Sequence, residues 1–335
     1  MPPLTLTIVL LLGSAVVIYL ACEYFVNGVE WVGGKFAVGQ KATGTILAAF
    51  GTALPESVVT LVAVAFGASA ASKELGVGAA LGGPLALSTI AYATVGVVLL
   101  ATRRTLPRTP EVAHVFHRLS TDQAWFATIF AAKIALGLIA FAWKPWLGLL
   151  FLGAYALYVR RELGGEGDDA EDGLEPLRFQ PGRAVPSTAI AVLQTLVALV
   201  VIFAASRLFV AQLGVLGPAL GLRPQLLALL LSPIATELPE TMNAVIWVRQ
   251  GKFRLALANI SGAMMIQATI PTALGLFFTP WLLTPPLLVA AGATMAAILV
   301  MAIAFRRGLA SRALLAAMGL LYVAFALTIA VLHMG

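Results

Sequence analysis

Two stretches of this chain set a carboxylate beside a proline inside otherwise apolar sequence. The first is Phe50-Gly51-Thr52-Ala53-Leu54-Pro55-Glu56-Ser57; the second is Ile234-Ala235-Thr236-Glu237-Leu238-Pro239-Glu240-Thr241. Placing an acid in hydrocarbon costs roughly 2.5–3.5 kcal/mol on insertion scales. The same cost, incurred twice in the same context, points to one site built from two halves. Each proline lacks an N–H and clashes with the preceding turn, which frees backbone carbonyls near the upstream threonine. Such broken backbone is tolerated at membrane depth where it faces protein or a wet cavity. Threonine hydroxyls, freed carbonyls and two carboxylates make an oxygen-only cage. That chemistry suits a hard divalent cation such as Ca²⁺, which takes about 6–8 oxygen ligands. Neither stretch carries His or Cys, so a softer metal is disfavoured. A single copy would read as a kink whose glutamate bonds a neighbouring helix; two copies favour a shared cation site, with Glu56, Glu240, Thr52 and Thr236 as its candidates.

The elements that must position these residues follow from hydropathy. The chain is 60% hydrophobic and only 11% charged, against about 25% charged in a soluble domain, so it reads as an all-α membrane protein with the lipid bilayer as its main surroundings. Ten runs approach the ~20 apolar residues a spanning helix needs: 4–25, 42–65, 75–101, 123–142, 146–159, 188–210, 224–248, 255–278, 282–304 and 310–332. The first lacks a basic start and is expected to be a retained helix. Loops after odd-numbered helices carry Lys35, Lys41, Arg103, Arg104, Arg108, Arg118, Arg160, Arg161, Arg178, Arg183, Arg249, Lys252, Arg254, Arg306, Arg307 and Arg312. Loops after even-numbered ones carry Lys73, Lys144 and Arg223. The positive-inside rule then puts both termini outside, and the basic excess reads as topology rather than nucleic-acid binding. Between the fifth and sixth helices, residues 161–186 are rich in Gly, Asp and Glu and read as an acidic cytoplasmic linker. Cys22 is the sole cysteine, which excludes a disulfide within the chain.

The linker separates two five-helix halves, 1–160 and 187–335. A shift of 184 residues carries Thr52 onto Thr236, Leu54 onto Leu238, Pro55 onto Pro239 and Glu56 onto Glu240; Phe25-Val26 falls on Phe209-Val210. With an odd number of helices in each half, the repeats must enter the membrane in opposite orientations. Inverted repeats of this kind occur in secondary transporters whose site lies near the midplane.

With these residues in view, the chain resembles the cation/calcium exchanger superfamily, whose two alpha-repeats carry Gly-Thr-Ser-Leu-Pro-Glu followed by Gly-Asn-x-x-Gly-Ser-Asn. Gly51–Glu56 is close to the first motif, and Ala235–Glu240 is further from it. Leu257-Ala258-Asn259-Ile260-Ser261-Gly262-Ala263 keeps the Asn and a later Gly; Val77-Gly78-Ala79-Ala80-Leu81-Gly82-Gly83 keeps mainly glycines. The resemblance implies ten helices in two inverted repeats and antiport of Ca²⁺ against Na⁺ or H⁺. It implies Ca²⁺ ligation by Glu56, Glu240, Thr52 and Thr236, and movement of the first and sixth helices. It also exposes departures: the motif serine becomes Ala53 in one half and Glu237 in the other. The Ser of Gly-Ser-Asn becomes Gly83 and Ala263, and the Asn or Asp one turn on becomes Leu87 and Gln267. Several sodium ligands are thereby lost. Glu237 and Gln267 join the candidates, Glu237 either as a proton carrier or replacement ligand, or as a solvated group in a vestibule. Three residues apart, Glu237 and Glu240 would share a helix face.

The sequence therefore predicts a secondary active cation antiporter of the cell membrane, moving Ca²⁺ against Na⁺ or H⁺ by alternating access, with inorganic cations as its partners and no bound cofactor. A proton-coupled or other cation exchanger, or a degenerate member that binds without exchange, is the alternative. An intramembrane enzyme is disfavoured, because no nucleophile–His pair, paired membrane Asp or His-Glu-x-x-His is found. Lys133 falls mid-span in the fourth helix, where an ionisable group reads as a gate or counter-ion. Glu23 and Arg207 occupy matched positions and read as snorkelling to the interface. His114 and His117 read as a solvated face.

Overall fold

A computed structural model describes residues 4–35, 55–107, 109–164 and 175–332. Its described residues fold into helices α1 (Leu4–Lys35), α2 (Pro55–Ala65), α3 (Ala70–Ala86), α4 (Tyr92–Ala101), α5 (Pro110–Leu138), α6 (Gly148–Gly164), α7 (Thr188–Leu220), α8 (Pro224–Thr236), α9 (Leu238–Arg249), α10 (Phe253–Phe278), α11 (Pro285–Arg306), α12 (Arg312–Ala317) and α13 (Gly319–Val331). A π-helical turn, Leu87–Ala91, joins α3 to α4. Among the described residues, six stretches are long and apolar enough to cross a bilayer by themselves: Leu4–Val29, Ala70–Ala101, Thr188–Leu220, Phe253–Phe278, Pro285–Arg306 and Arg312–Val331. With α2, α5, α6 and the α8–α9 pair they make the ten-span, all-helical layout expected from hydropathy.

The shift of 184 residues that aligns the two motifs also carries α1 onto α7 and α2 onto α9. Helices α1 and α7 each exceed 30 residues, about 45–50 Å at 1.5 Å per residue, so both project beyond a hydrocarbon core of about 30 Å. They lie along one another and expose rows of Leu and Val outward, among them Leu12, Val16 and Leu20 on α1 and Leu193, Leu196 and Val200 on α7. The α7 helix ends at Gly221, whose φ of +66° is the left-handed conformation that favours glycine; there Leu222 N donates back to Gly217 O at 3.0 Å.

Two apolar cores result. The larger draws on α3–α6 and α8–α13, with α10 at its centre against α3, α5, α6 and α9. The smaller is where α1 and α7 meet α2, α3 and α8, through Ile18, Cys22, Val59, Leu75, Phe209 and Leu227. The α1–α7 pair thus packs on the bundle through an apolar seam of its own.

Some boundaries depart from the hydropathy reading. The fourth span, α5, starts at Pro110 rather than near residue 123. Thr109 caps it by accepting from Val112 N, and Pro110 and Glu111 occupy its first turn, favourable for a helix start. Val112, Phe116, Leu119, Phe126 and Phe130 then continue one buried stripe across a stretch too polar for a hydropathy window. The seventh span breaks at Glu237 into α8 and α9. Two prolines, Pro233 and Pro239, remove intrahelical donors on either side of that point. The last span changes helix at Met318.

Lys144 fastens the loop between α5 and α6 to the connection between α10 and α11. Its ammonium donates to the carbonyls of Ile139 (2.6 Å), Pro280 (2.9 Å) and Trp281 (2.9 Å). The described part of the linker is likewise docked. Leu177 is fully buried, Arg178 N donates to Asn27 Oδ1 of α1 at 2.9 Å, and Phe179 N donates to Gln194 Oε1 of α7 at 2.7 Å.

Candidate cation-binding site

Glu56, in the first turn of α2, has a fully buried side chain. The Thr236 hydroxyl, at the end of α8, lies 2.7 Å from its Oε2, and Ser232 Oγ lies 3.4 Å from the same oxygen. The Thr236 hydroxyl is also 3.1 Å from Glu237 Oε1 and 3.0 Å from Ser232 O. One threonine of the second half therefore bridges an acid from each half. Glu237 is 3% exposed. It is enclosed by protein, which removes the solvated-vestibule reading.

Glu237 does not share a continuous helix with Glu240. It caps α8, with φ −97° and ψ 1°, and Glu240 lies in the first turn of α9. Glu237 meets Thr236 and interacts electrostatically with Glu56, whereas fully buried Glu240 acts on Cys22 of α1. The described residues hold no cluster of three or more His, Cys, Asp or Glu able to hold a metal. Glu56 and Glu240 both face protein rather than lipid.

Gln267 of α10, also fully buried, faces Glu237 across the space left by Gly83. A Cβ built on Gly83 would stand 2.6 Å from Gln267 Oε1. Gly82 backs onto the α8 kink, where a Cβ would stand 2.7 Å from Leu229 O and 2.7 Å from Pro233 Cγ. Leu229 O is the carbonyl whose helical donor Pro233 removes. The glycine pair of α3 thus admits α8 on one side and the Gln267 side chain on the other, the close-approach role glycine has between membrane helices.

Thr60, one turn along α2, interacts with Glu56. Several buried oxygens here lack a hydrogen-bond partner of ordinary geometry among the described residues: Glu56 Oε1, Glu237 Oε2, Thr60 Oγ1 and Gln267 Oε1. Buried acceptors are rarely left this way. A set of hard oxygens with unused lone pairs fits an oxygen-seeking cation as substrate. Thr52 lies outside the described residues. Sequence reasoning missed Ser232 and Thr60, although both stand one turn from a singled-out residue, at i−4 from Thr236 and i+4 from Glu56.

Lys133 is fully buried, with its ammonium 2.9 Å from Ala80 O and an electrostatic influence on Glu56. Glu23 is half-buried, and Arg207, His114 and His117 are exposed, in keeping with interfacial and solvated positions.

Comparison with known proteins bears on the fold and the family. An uncharacterised membrane protein of Methanocaldococcus jannaschii is 28% identical over 160 residues, 47% of this chain and 46% of that protein, so the match spans about half of the relative's length. Among solved structures, the H⁺/Ca²⁺ exchanger CAX superposes with a TM-score of 0.74 at 18% identity, covering 96% of this chain and 82% of the other. The sodium-calcium exchanger NCX_Mj superposes with a TM-score of 0.59 at 17% identity, covering 96% and 97%. At these identities the superpositions establish a common fold. The sodium/calcium exchanger protein family matches residues 6–162 and 190–331, most of both halves, and the chain belongs to that family.

Proposed function

We propose that this chain is a secondary active cation antiporter that carries Ca²⁺ against H⁺ or Na⁺ by alternating access. Glu56, Thr236, Glu237 and Gln267 form the core of its cation site, with Thr52 contributing from the first motif and Glu240 at the side where α1 meets the site. The observation that carries this reading is the 2.7 Å contact between Glu56 of one half and Thr236 of the other, in a buried setting with unused oxygens. The transporter reading draws on the same residues, which offer oxygen ligands, and on the exchanger family to which the chain belongs. The integral location in the cell membrane rests on the apolar spans, and the placing of both termini outside rests on the distribution of basic loops.

A proton count favours H⁺ as the coupling ion. A threonine hydroxyl has one hydrogen to donate, yet three acceptor oxygens surround that of Thr236: Glu56 Oε2, Glu237 Oε1 and Ser232 O. The backbone oxygen has no hydrogen. For both carboxyl contacts to be hydrogen bonds, at least one of Glu56 and Glu237 must carry a proton. The arrangement therefore suits a proton-loaded site, in which Ca²⁺ and H⁺ contend for the same oxygens. The loss of family sodium ligands at Ala53, Gly83 and Ala263 points the same way.

The test is ⁴⁵Ca²⁺ uptake into proteoliposomes, first under an outward H⁺ gradient and then under an outward Na⁺ gradient. Uptake driven by H⁺ is expected. Uptake driven by Na⁺ alone would reverse the choice of coupling ion, and Ca²⁺ binding without gradient-driven uptake would mean a cation-binding protein without exchange.

A further inference from the structure

Pro84 lies inside α3 and has no N–H, so Ala80 O, four residues earlier, lacks its helical donor. Lys133 of α5 fills that vacancy with its ammonium, 2.9 Å from Ala80 O. The ammonium also lies 5.2 Å from the Phe130 ring centroid and 5.8 Å from that of Trp281, a cation–π setting. Trp281 fixes the lysine backbone in turn, its indole N–H donating to Lys133 O at 3.0 Å. A carbonyl, two ring faces and a locked main chain hold one cation in one place. Towards the site, α3 packs against α2 so closely that a Cβ on Gly76, one turn before Ala80, would stand 3.4 Å from Thr60 O, one turn after Glu56, and across this contact the ammonium charge acts on Glu56.

Capping a carbonyl does not by itself require a lysine. Any residue but proline at position 84 would supply the missing N–H, and an ammonium at membrane depth is costly. The position beside Glu56 gives the charge a use. We propose that Lys133 is a fixed cation of the transport site, standing in for one coupling ion beside Glu56. The inference rests on the antiport reading. A carrier whose carboxylates are partly neutralised from within needs one fewer imported positive charge to return after releasing Ca²⁺, and the same fixed charge weakens Ca²⁺ binding.

Substituting Lys133 alone would strand Ala80 O, so the deciding variant is the double one, Pro84→Ala with Lys133→Met, in which position 84 recovers its N–H. Two quantities are read on the purified full chain: Ca²⁺ affinity by titration calorimetry, and charge moved per Ca²⁺ from the zero-flux potential of proteoliposomes. The double variant is expected to bind Ca²⁺ at least about tenfold more tightly, through lost Coulomb repulsion in a low-dielectric site, and to require one more coupling charge per Ca²⁺. Lys133→Arg, which keeps the charge, is expected to keep the coupling number even if flux slows. Wild-type affinity and coupling number in the double variant would make Lys133 a carbonyl cap only. A changed coupling number in Lys133→Arg would also overturn the proposal. If the wild-type chain shows no gradient-driven flux, the antiport reading fails by itself, and the calorimetric comparison still decides whether Lys133 acts on the bound ion.

Discussion

Glu56 Oε2 and Thr236 Oγ1 lie 2.7 Å apart although 180 residues separate them in sequence. Each comes from a Thr-x-Leu-Pro-Glu stretch of its own repeat, so the contact joins the acid of one motif to the hydroxyl of the other. Thr236→Val, which keeps shape and removes the hydroxyl, takes one oxygen ligand from the proposed site. A polar contact to a charged group contributes about 1.5–3 kcal/mol, so Ca²⁺ affinity is expected to fall about 10- to 100-fold. Glu56→Gln removes the charge itself and is expected to abolish uptake at Ca²⁺ concentrations that saturate the wild type. Calorimetric Ca²⁺ titration and initial ⁴⁵Ca²⁺ uptake rates check both. An unaltered rate in Glu56→Gln would remove Glu56 from the site.

The second prediction concerns protons at Glu237. Ca²⁺ and H⁺ contending for the Glu56–Thr236–Glu237 oxygens make Ca²⁺ binding tighten as pH rises, because fewer protons must leave. Glu237→Gln keeps the side-chain volume and removes one exchangeable proton. The variant is expected to retain Ca²⁺ binding but lose part of its pH dependence, seen as a shallower slope of log affinity against pH. An unchanged slope would confine the exchanged proton to other groups.

How far the sequence anticipated these groups depended on the kind of signal. Pro55-Glu56 and Pro239-Glu240 were legible because a costly pattern recurred at a fixed interval, and hydropathy sufficed for the ten-span layout. The Glu237–Glu240 relationship was misread as a shared helix face because the rule of three presumes unbroken helix. Pro233 and Pro239 break the span between α8 and α9, with Glu237 at the break. The partner of Lys133 was hidden for a related reason. Pro84 marks which carbonyl needs a donor, but only the packing of α5 on α3 reveals that a lysine 53 residues away supplies it. The buried stripe at the start of α5 was missed because Glu111, His114, His117 and Arg118 lower the hydropathy of a turn whose Val112 and Phe116 still face inward.

Adjacent glycines of α3 should respond oppositely to the same added methyl group. At Gly82 the Cβ would meet a backbone oxygen, Leu229 O at 2.7 Å, and the ring of Pro233, neither of which can swing aside. Gly82→Ala is expected to cost about 1–3 kcal/mol, the range for overpacking, and to lower the midpoint of thermal unfolding in detergent. At Gly83 the Cβ would meet the free end of the Gln267 side chain, which can rotate away. Gly83→Ala is therefore expected to unfold close to the wild-type temperature while weakening Ca²⁺ binding, since the displaced amide no longer faces Glu237. Equal stability losses in both variants would mean that Gln267 is held as rigidly as the α8 backbone.

The last prediction concerns the seam between linker and helices. Gln194 of α7 accepts from Phe179 N at 2.7 Å and donates to Tyr24 O of α1 at 2.8 Å and to Asn27 Oδ1 at 3.0 Å. Asn27 accepts from Arg178 N, and the Trp31 indole donates to Glu175 O at 2.8 Å. One amide on each long helix thus holds the segment around Arg178 across the α1–α7 pair. Buried polar networks are costly to leave half-satisfied, so Gln194→Leu should release the segment rather than leave it docked on unpaired groups. Trypsin is then expected to cleave after Arg178 at least about tenfold faster than in the wild type, as the loss of roughly 1.5 kcal/mol of local stability would allow. The Glu56–Thr236 site lies on α2 and α8 rather than in this network, so Ca²⁺ affinity should stay near wild type. Because the same network bonds α1 to α7, looser docking should also alter the rate of ⁴⁵Ca²⁺ exchange if the two helices move as one body. Faster cleavage with unchanged exchange would show that the linker is fastened to the pair without controlling it, and unchanged cleavage would show that apolar contacts, Leu177 foremost, suffice to keep the segment in place.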